Sequence, residues 1–322
     1  MNDISSKRAL GFIFPGQGSQ SVGMMAALAA EYPQVRARYA TASEVLGFDL
    51  WRLVEQGPEE ELNQTQNTQP ALLAASVATW DIWCAEGGPR PALMAGHSFG
   101  EYSALVCEGA LDFATAVALV AERGRLMQSA VPAGEGSMAA ILGLDLEPLQ
   151  AACAEAAEAL GVCACANLNA PGQIVIAGKT AAVDKACELA AALGAKRAMK
   201  LAVSVPAHCA LMQPAAAGLA TRLAEVDFSA PGVAVIHNVD VDSHADAAAI
   251  RAALVAQMCK PVRWIETIEH FARAGVTHLA ECGPGKVLAP LVKRIDKNLQ
   301  TVGLGDPAGL REFATLARNE LS

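Results

Sequence analysis

The sequence predicts an α/β protein with a largely parallel sheet, into which a smaller subdomain is inserted. Short apolar strands alternate with helices near both ends of the chain, and this alternation is typical of a parallel sheet. The strands that support it are residues 11–14, 91–95, 233–239 and 276–282. Over residues 138–203 the order changes to strand, helix, strand, strand, helix, strand, which is the ferredoxin-like arrangement.

The first strand, GFIF, is followed by the glycine-rich loop PGQGSQ and by a helix predicted over 22–32. Gly16 and Gly18 stand where a dinucleotide-binding loop has its first two glycines. The next glycine is Gly23, so the spacing departs from GxGxxG and nucleotide binding is the weaker interpretation. The loop is better suited to donate a backbone N–H, that of Gln17, to an oxyanion hole.

The second strand leads into GHSFG at 96–100 and a helix predicted over 101–111. A GxSxG turn between a strand and a helix is typical of a nucleophile elbow. The pattern predicts Ser98 as the nucleophile and the backbone N–H of Phe99 as the other oxyanion donor. The alternative is an ordinary turn in which Ser98 caps the helix. Because neighbouring residues on a sharp turn project in different directions, His97 is poorly placed to be the base.

The middle of the chain supplies the six elements of the small subdomain. Two of its strands are joined by the APG sequence at 170–172, which favours a hairpin turn. We expect the last strand to cover 195–203. The predicted boundaries are 132–204 for the ferredoxin-like subdomain, and 1–131 with 205–322 for the large one. Clefts between such units commonly hold substrates.

Composition narrows the classes of function. With 53% hydrophobic and 18% charged residues, the chain is typical of a well-buried soluble enzyme. The net charge of −9 argues against nucleic acid binding, which requires a basic face. Nine cysteines without a CxxC pair favour reduced thiols in the cytoplasm, and the absence of HExxH predicts no metal site. We expect neither a membrane span nor a signal peptide.

Eight short segments match, in order, the motifs of one enzyme family. They are FPGQGSQ (14–20), TQPAL (68–72), GHSFGEYSAL (96–105), RG (123–124), NLNAPGQIVIAG (167–178), SVPAHCALM (204–212), QMCKPVRW (257–264) and GPGKVL (283–288). Together they resemble the malonyl-CoA:acyl-carrier-protein transacylase family over nearly the whole chain.

The resemblance implies an α/β-hydrolase-like large subdomain with a ferredoxin-like insert. It implies transfer of a malonyl group from malonyl-CoA to the phosphopantetheine thiol of acyl carrier protein, through a malonyl-serine intermediate, in fatty acid biosynthesis. No cofactor and no metal are implied. The expected partners are malonyl-CoA and acyl carrier protein, without nucleic acid or membrane, and we expect a cytoplasmic monomer.

The resemblance also assigns the base, which the residues alone leave open between His208 and His237. His208 corresponds to the family's base in SVPAHCALM. In this family a backbone carbonyl orients the histidine, and by motif it falls at Gln257. The assignment is compatible with a helix stopped by Pro261, because the last carbonyls of a helix lack intrahelical partners.

Arg123 is the expected specificity residue. It lies on a helical stripe that is otherwise apolar, formed by Phe113, Ala116, Val120 and Met127. The residues alone favour an arginine that snorkels or pairs with a structural acid. The resemblance implies instead that its guanidinium binds the free carboxylate of the malonyl group.

Three more polar residues match motif positions and are implied to bind substrate: Gln69, Asn167 and Asn169. Their turn-forming chemistry is an adequate alternative explanation. Phe99 departs from the family, which commonly has leucine there, and its larger side chain is expected to narrow the acyl pocket.

Three alternative functions stay open. A trans-acting acyltransferase of polyketide synthesis would share every motif and differ in its carrier. A serine hydrolase or thioesterase would use the same serine and histidine but release free acid. A nucleotide-binding module would need the Gly16–Gly18 loop to hold phosphate. For the transacylase, candidate contacts to the acidic carrier are Lys196, Arg197 and Lys286, for which solvated surface charge is the alternative.

Overall fold

The computed structural model describes residues 9–201 and 205–321. Its strands are β1 (Ala9–Phe14), β2 (Leu93–Gly96), β3 (Gly136–Leu142), β4 (Cys163–Ala170), β5 (Gln173–Lys179), β6 (Arg197–Lys200), β7 (Val235–Ile236), β8 (Val276–Glu281) and β9 (Gln300–Gly303). Its helices are α1 (Ala26–Glu31), α2 (Pro33–Leu46), α3 (Leu50–Gln56), α4 (Glu59–Leu62), α5 (Thr65–Ala85), α6 (Gly100–Cys107), α7 (Phe113–Ala130), α8 (Leu146–Leu160), α9 (Thr180–Ala192), α10 (Gln213–Ala224), α11 (Ala247–Gln257), α12 (Trp264–Arg273), α13 (Ala289–Ile295) and α14 (Pro307–Glu320). A 3₁₀ turn, Ala210–Met212, precedes α10.

The large sheet has five parallel strands in the order β7-β2-β1-β8-β9. Its central strand β1 is buried from Leu10 to Phe14, as expected for an interior strand of a parallel sheet. Phe14 pairs with Gly96 of β2, and Ile13 pairs with Glu281 of β8. These strands therefore end at the same edge of the sheet, and the predicted α/β fold with a parallel sheet is confirmed.

The small sheet is antiparallel, with the order β4-β5-β3-β6, and α8 and α9 pack on it. The element order and the strand order together are ferredoxin-like, as predicted. The hairpin at 170–172 is also confirmed, and Gly172 has the positive φ of 64° that the turn requires. The subdomain boundaries stay a prediction, and residues 202–204 of the last predicted strand lie outside the described residues.

Several elements are shorter than predicted. The helix expected over 22–32 begins only at Ala26, because Met25 has a left-handed φ of 68° that a helix does not accept. The strand expected over 233–239 is reduced to Val235–Ile236, since a turn begins directly after it. The edge strand Gln300–Gly303 was not predicted, because four residues are too few to show a periodicity.

The helix α5 forms the centre of the main core, and nearly every residue from Thr65 to Trp83 is buried. Phe12 of β1 packs edge-on against Trp80 and Trp83, with ring centroids 5.2 and 5.1 Å apart. These contacts fix α5 against the central strand, so that its first turn lies near the edge where β1 and β2 end. None of the described helices is long and apolar enough to cross a membrane.

Candidate active site

The loops that follow β1 and β2 are packed against each other at the edge of the large sheet. The backbone N–H of His97 donates to the carbonyl of Phe14 at 2.9 Å. A Cβ added to Gly16 would lie 2.7 Å from the carbonyl oxygen of His97, so only glycine allows this approach. The Gln17 loop and the GHSFG turn therefore line one side of the same site.

The GHSFG turn has the geometry of a nucleophile elbow. Ser98 has a left-handed φ of 54°, a strained conformation for a residue with a side chain. A Cβ on Gly96 would lie 1.8 Å from the backbone carbon of Gly100, and one on Gly100 would lie 2.5 Å from the carbonyl oxygen of Phe14. Both glycines are therefore required for the strand to reverse into α6, and the predicted strand, turn and helix are present.

His208 lies directly against the serine. The Ser98 hydroxyl donates to Nε2 of His208 at 2.7 Å, and Nδ1 of His208 donates to the backbone carbonyl of Gln257 at 2.8 Å. Gln257 is the last residue of α11, where a backbone carbonyl receives no hydrogen bond from an N–H group of the same helix. The next carbonyl, that of Met258, accepts the backbone N–H of His208 at 3.1 Å. The end of α11 therefore orients His208 and fixes the tautomer in which Nε2 accepts a proton.

The surroundings of His208 keep its imidazole neutral. Burial, followed by the positive charge of Arg123, lowers the pKa of His208 from 6.5 to about 3. An imidazole with so low a pKa is available as a proton acceptor over the whole physiological pH range.

The other two candidate histidines have different partners. His97 Nε2 lies 2.8 Å from Oδ1 of Asn169, and its ring packs edge-on against Trp264. His237 is fully buried and lies 3.8 Å from the carboxylate of Glu101. Neither ring is hydrogen-bonded to Ser98 among the described residues, so the geometry favours His208 as the base.

Ser98 and His208 open into a cavity of about 780 Å³. Arg123 and Met127 of α7 also line it, and Gly124 lets α7 approach α5, since a Cβ there would lie 2.6 Å from a backbone atom of the facing helix. The small subdomain closes the opposite side with side chains of β3, β4 and β5, which are Met138, Asn167, Asn169 and Val175. The cavity thus lies between the two sheets.

Comparisons with known proteins agree with this geometry. A family model for the acyl transferase domain matches residues 11–302. The malonyl CoA-acyl carrier protein transacylase of Salmonella typhimurium is 58% identical over 304 residues, which are 94% of this chain and 98% of that protein. The solved transacylase from Coxiella burnetii has a TM-score of 0.94 at 49% identity and covers 98% of both chains.

A further solved structure holds a type II polyketide acyl carrier protein in complex with its malonyl-transacylase, and it has a TM-score of 0.93 at 54% identity, covering 94% of this chain and 97% of that one. The chain belongs to the malonyl-CoA:acyl-carrier-protein transacylase family.

Arg123 is buried, and it forms no ion pair with an acidic side chain among the described residues. Its guanidinium donates to Oε1 of Gln257 at 2.9 Å and to the sulfur of Met127 at 3.2 Å, and its Nε has no acceptor in the described part of the chain. None of the ion pairs formed by the described residues includes Arg123. Burial lowers the pKa of Arg123, because the charged form is desolvated. A buried guanidinium whose described hydrogen-bond acceptors are an amide oxygen and a thioether sulfur is suited to bind an anionic ligand.

The other predicted residues of the transacylase site are only partly brought together. Gln17, Phe99, Asn167 and Asn169 line the cavity. Gln69 does not. It lies behind the lining, where its Nε2 donates to the sulfur of Met127 at 3.6 Å.

The backbone N–H groups of Gln17 and Phe99 are available to donate to an oxyanion. Neither donates to a protein acceptor in the described part of the chain. Phe99 is the N-cap of α6, so its amide lies at the positive end of the helix dipole. Both remain predictions as oxyanion donors.

Two residues that lie against the elbow were not predicted to be part of the site. Asn238, directly after β7 and His237, accepts the backbone N–H of Ser98 at 2.8 Å and donates to the carbonyl of Gly96 at 2.8 Å. Glu101 lies fully buried beneath the turn. A polar residue at the carboxyl end of a parallel strand was an available signal for Asn238. Nothing local distinguishes Glu101 from a surface glutamate in the first turn of a helix.

No group of three or more histidine, cysteine or acidic side chains could hold an ion within residues 9–201 and 205–321.

Proposed function

We propose that the chain transfers a malonyl group from malonyl-CoA to the phosphopantetheine thiol of acyl carrier protein in fatty acid biosynthesis. The observation that carries this is one cavity in which the Ser98–His208 pair faces a buried Arg123 that has no acidic partner within residues 9–201 and 205–321. The pair supplies acyl transfer, and the arginine supplies a reason for an acyl group with a free carboxylate. Relatives at 58% and 56% identity carry the transacylase name.

In the first half-reaction, Ser98 Oγ forms a bond to the thioester carbonyl carbon while its proton moves to Nε2 of His208. The backbone N–H groups of Gln17 and Phe99 donate to the resulting oxyanion. When the carbon–sulfur bond breaks, the electron pair leaves on the CoA sulfur, which takes from His208 the proton that came from Ser98. The products are a malonyl-serine ester and free CoA.

The second half-reaction runs in the opposite direction with a new thiol. His208 accepts the proton of the phosphopantetheine thiol as the sulfur attacks the serine ester. The ester bond breaks, and Ser98 Oγ regains a proton from His208. Because the base is neutral before each step, the same residue serves both half-reactions without an additional acid.

We place the malonyl carboxylate against Arg123. Its Nη1 and Nη2 are aimed at a weak sulfur acceptor and an amide oxygen, while a bidentate carboxylate would be a stronger acceptor for both. Gln69 supports Met127 from behind, and Asn167 and Asn169 form the opposite wall, where pantetheine amides would pass.

The proposal includes a cytoplasmic location, since all nine cysteines are free thiols. It also includes a monomer, because the described residues of one chain line the site on both sides. Lys196, Arg197 and Lys286 are exposed and have no ion-pair partner among the described residues, so they are available to an acidic carrier.

The test is intact mass spectrometry after mixing the protein with malonyl-CoA. We expect one malonyl adduct that maps to Ser98 and is absent from Ser98→Ala. Holo acyl carrier protein should discharge the adduct and gain the malonyl mass, whereas apo carrier, which lacks the thiol, should not. Release of free malonate in place of transfer would show a hydrolase and contradict the proposal.

A polyketide-type carrier is the second candidate acceptor, since a 54% identical relative is seen with one. Comparing the discharge rates by carriers of the two pathways decides between them. A faster discharge by the polyketide-type carrier would overturn the assignment to fatty acid biosynthesis.

A further inference from the structure

The mechanism above does not use Glu101, although its carboxylate is fully buried next to the nucleophile. Glu101 lies in the first turn of α6, three residues after Ser98. One carboxylate oxygen accepts the backbone N–H of Asn238, and the other accepts Nε2 of Gln257. Burying a carboxylate is costly unless its hydrogen bonds are made, so both contacts restrain its partners as well as itself.

The contact to Asn238 acts on the serine turn. Asn238 bonds to the backbone on both sides of His97, through the N–H of Ser98 and the carbonyl of Gly96, each at 2.8 Å. The turn that presents Asn238 is itself strained, because the β-branched Val241 has a φ of 60°. By holding the start of this turn, Glu101 keeps Asn238 against the elbow.

The contact to Gln257 acts on Arg123. Nε2 of Gln257 also donates to the carbonyl of Ser98 at 2.9 Å, so two acceptors face that nitrogen. Its amide can therefore take only the orientation in which Oε1 faces Arg123, and that oxygen accepts Nη2 at 2.9 Å. Glu101 and the carbonyl of Ser98 together thus determine that Arg123 meets the oxygen of the amide.

The amide also keeps Glu101 from pairing with Arg123 directly. A carboxylate on the guanidinium would compete with an anionic substrate for the same donors. With Gln257 between them, the carboxylate of Glu101 stays close, while the N–H groups of Arg123 stay available to a substrate carboxylate. The titratable groups of His237, whose Nδ1 lies 3.8 Å from Glu101, and of Tyr102 also interact with this carboxylate.

We propose that Glu101 is a positioning residue that links the serine elbow to the carboxylate-binding arginine, through Asn238 on one side and Gln257 on the other. The proposal rests on the proposed function, since it assumes that Arg123 binds the acyl carboxylate. It assigns Glu101 a role in the preference for malonyl over acetyl groups, in addition to its role in the geometry of the turn.

The variant Glu101→Gln tests this without changing the shape of the side chain. Its new NH2 group must face a donor, either the N–H of Asn238 or the NH2 of Gln257. We expect the Gln257 amide to turn and present its NH2 group to Arg123. The value of kcat/KM for malonyl-CoA should fall about 10- to 100-fold, as for a lost buried hydrogen bond to a charged group, with a raised KM. The value of kcat/KM for acetyl-CoA should fall less, so the malonyl-to-acetyl ratio of the two kcat/KM values should fall.

Glu108→Gln is the matched control. Glu108 is a buried carboxylate at the other end of α6 that pairs with Arg90 and does not line the cavity. It should lose stability without a change in the malonyl-to-acetyl ratio. Equal losses for the two CoA esters in Glu101→Gln, with a ratio like that of Glu108→Gln, would overturn the proposal.

Gln257→Leu keeps the backbone carbonyl for His208 but removes the side-chain link, and it carries the test if Glu101→Gln does not fold. We expect it to lower the same ratio, and the double variant should lower it no further than Gln257→Leu does. An unchanged ratio in Gln257→Leu would contradict the proposal. Wild type forming no malonyl adduct would instead refute the proposed function, so the two failures are distinguishable.

Discussion

The large parallel sheet and the small antiparallel sheet face the same cavity, but they contribute different kinds of groups. Ser98, His208 and Arg123 all come from the large subdomain, whereas β3, β4 and β5 contribute a wall of two amides and two apolar side chains. Parallel strands end together, so the turns after them converge on one point. An antiparallel sheet instead presents alternate residues of each strand on one face, as Asn167 and Asn169 show.

This difference assigns proton transfer and acyl transfer to groups at the edge of the large sheet, whereas the face of the small sheet contributes contacts to the substrate alone. Replacing the base should therefore change kcat, and replacing Arg123 should change kcat/KM for malonyl-CoA. Substitutions on the face of the small sheet should change mainly KM. Four predictions test this division, in order of decreasing effect.

His208→Ala should cause the largest loss. Removing a general base lowers the rate by about 10²- to 10⁴-fold, so kcat for transfer to the carrier should fall within that range. The controls are His97→Ala and His237→Ala, because neither ring contacts Ser98. If His237→Ala were inactive while His208→Ala kept its rate, the assignment of the base would be wrong.

Arg123→Ala should change the choice of acyl group. Charged hydrogen bonds contribute about 1.5–3 kcal/mol each, so kcat/KM for malonyl-CoA should fall at least about 10-fold. The value of kcat/KM for acetyl-CoA should stay the same or rise, because no guanidinium is left unpaired beside the methyl group of its acyl chain. The matched control is Arg125→Ala, an exposed arginine two residues further along α7 that pairs with Glu122. Equal losses for the two CoA esters would show that Arg123 is structural.

Asn169→Ala tests the wall of the small sheet. It removes the contact to Nε2 of His97 and a polar group of the cavity. A neutral hydrogen bond contributes about 0.5–1.5 kcal/mol, so KM for malonyl-CoA should rise about 3- to 10-fold with kcat nearly unchanged. Asn298→Ala, at an exposed position outside the cavity, should have no effect. A large loss in kcat would place the small sheet in the chemistry and break the division.

The smallest expected effect is that of pH. Since the pKa of His208 is lowered to about 3, its base form is already complete at pH 8 and stays so on acidification to pH 5. The rate of Ser98 acylation by acetyl-CoA, whose acyl group has no titrating carboxylate, should therefore be flat over this range, as measured by rapid quench. A decline with a midpoint near the ordinary histidine value of about 6.5 would show that His208 is protonated normally.

Local sequence was sufficient wherever a steric rule acts within a few residues. The elbow was predicted because a side chain at Gly96 or Gly100 would overlap the neighbouring backbone, so GxSxG between a strand and a helix has one geometry. The ferredoxin-like unit was predicted for a similar reason, since the order of its elements and the turn at 170–172 are local features. The length of strand β7 was overestimated and the edge strand β9 was missed, because a pattern of two to four residues has no period.

Residue patterns alone determined that a serine stands on a turn built for a nucleophile and that a lone arginine lies on an apolar helical stripe. Which histidine meets that serine was decided by the tertiary structure, which brings His208 to Ser98 over 110 positions of chain and turns His237 toward Glu101. The contact of Glu101 with Gln257 spans 156 positions. Such pairs carry no local signal, because hydrogen bonds between distant segments depend on how the sheet and helices pack, and packing is not encoded in any short stretch of sequence.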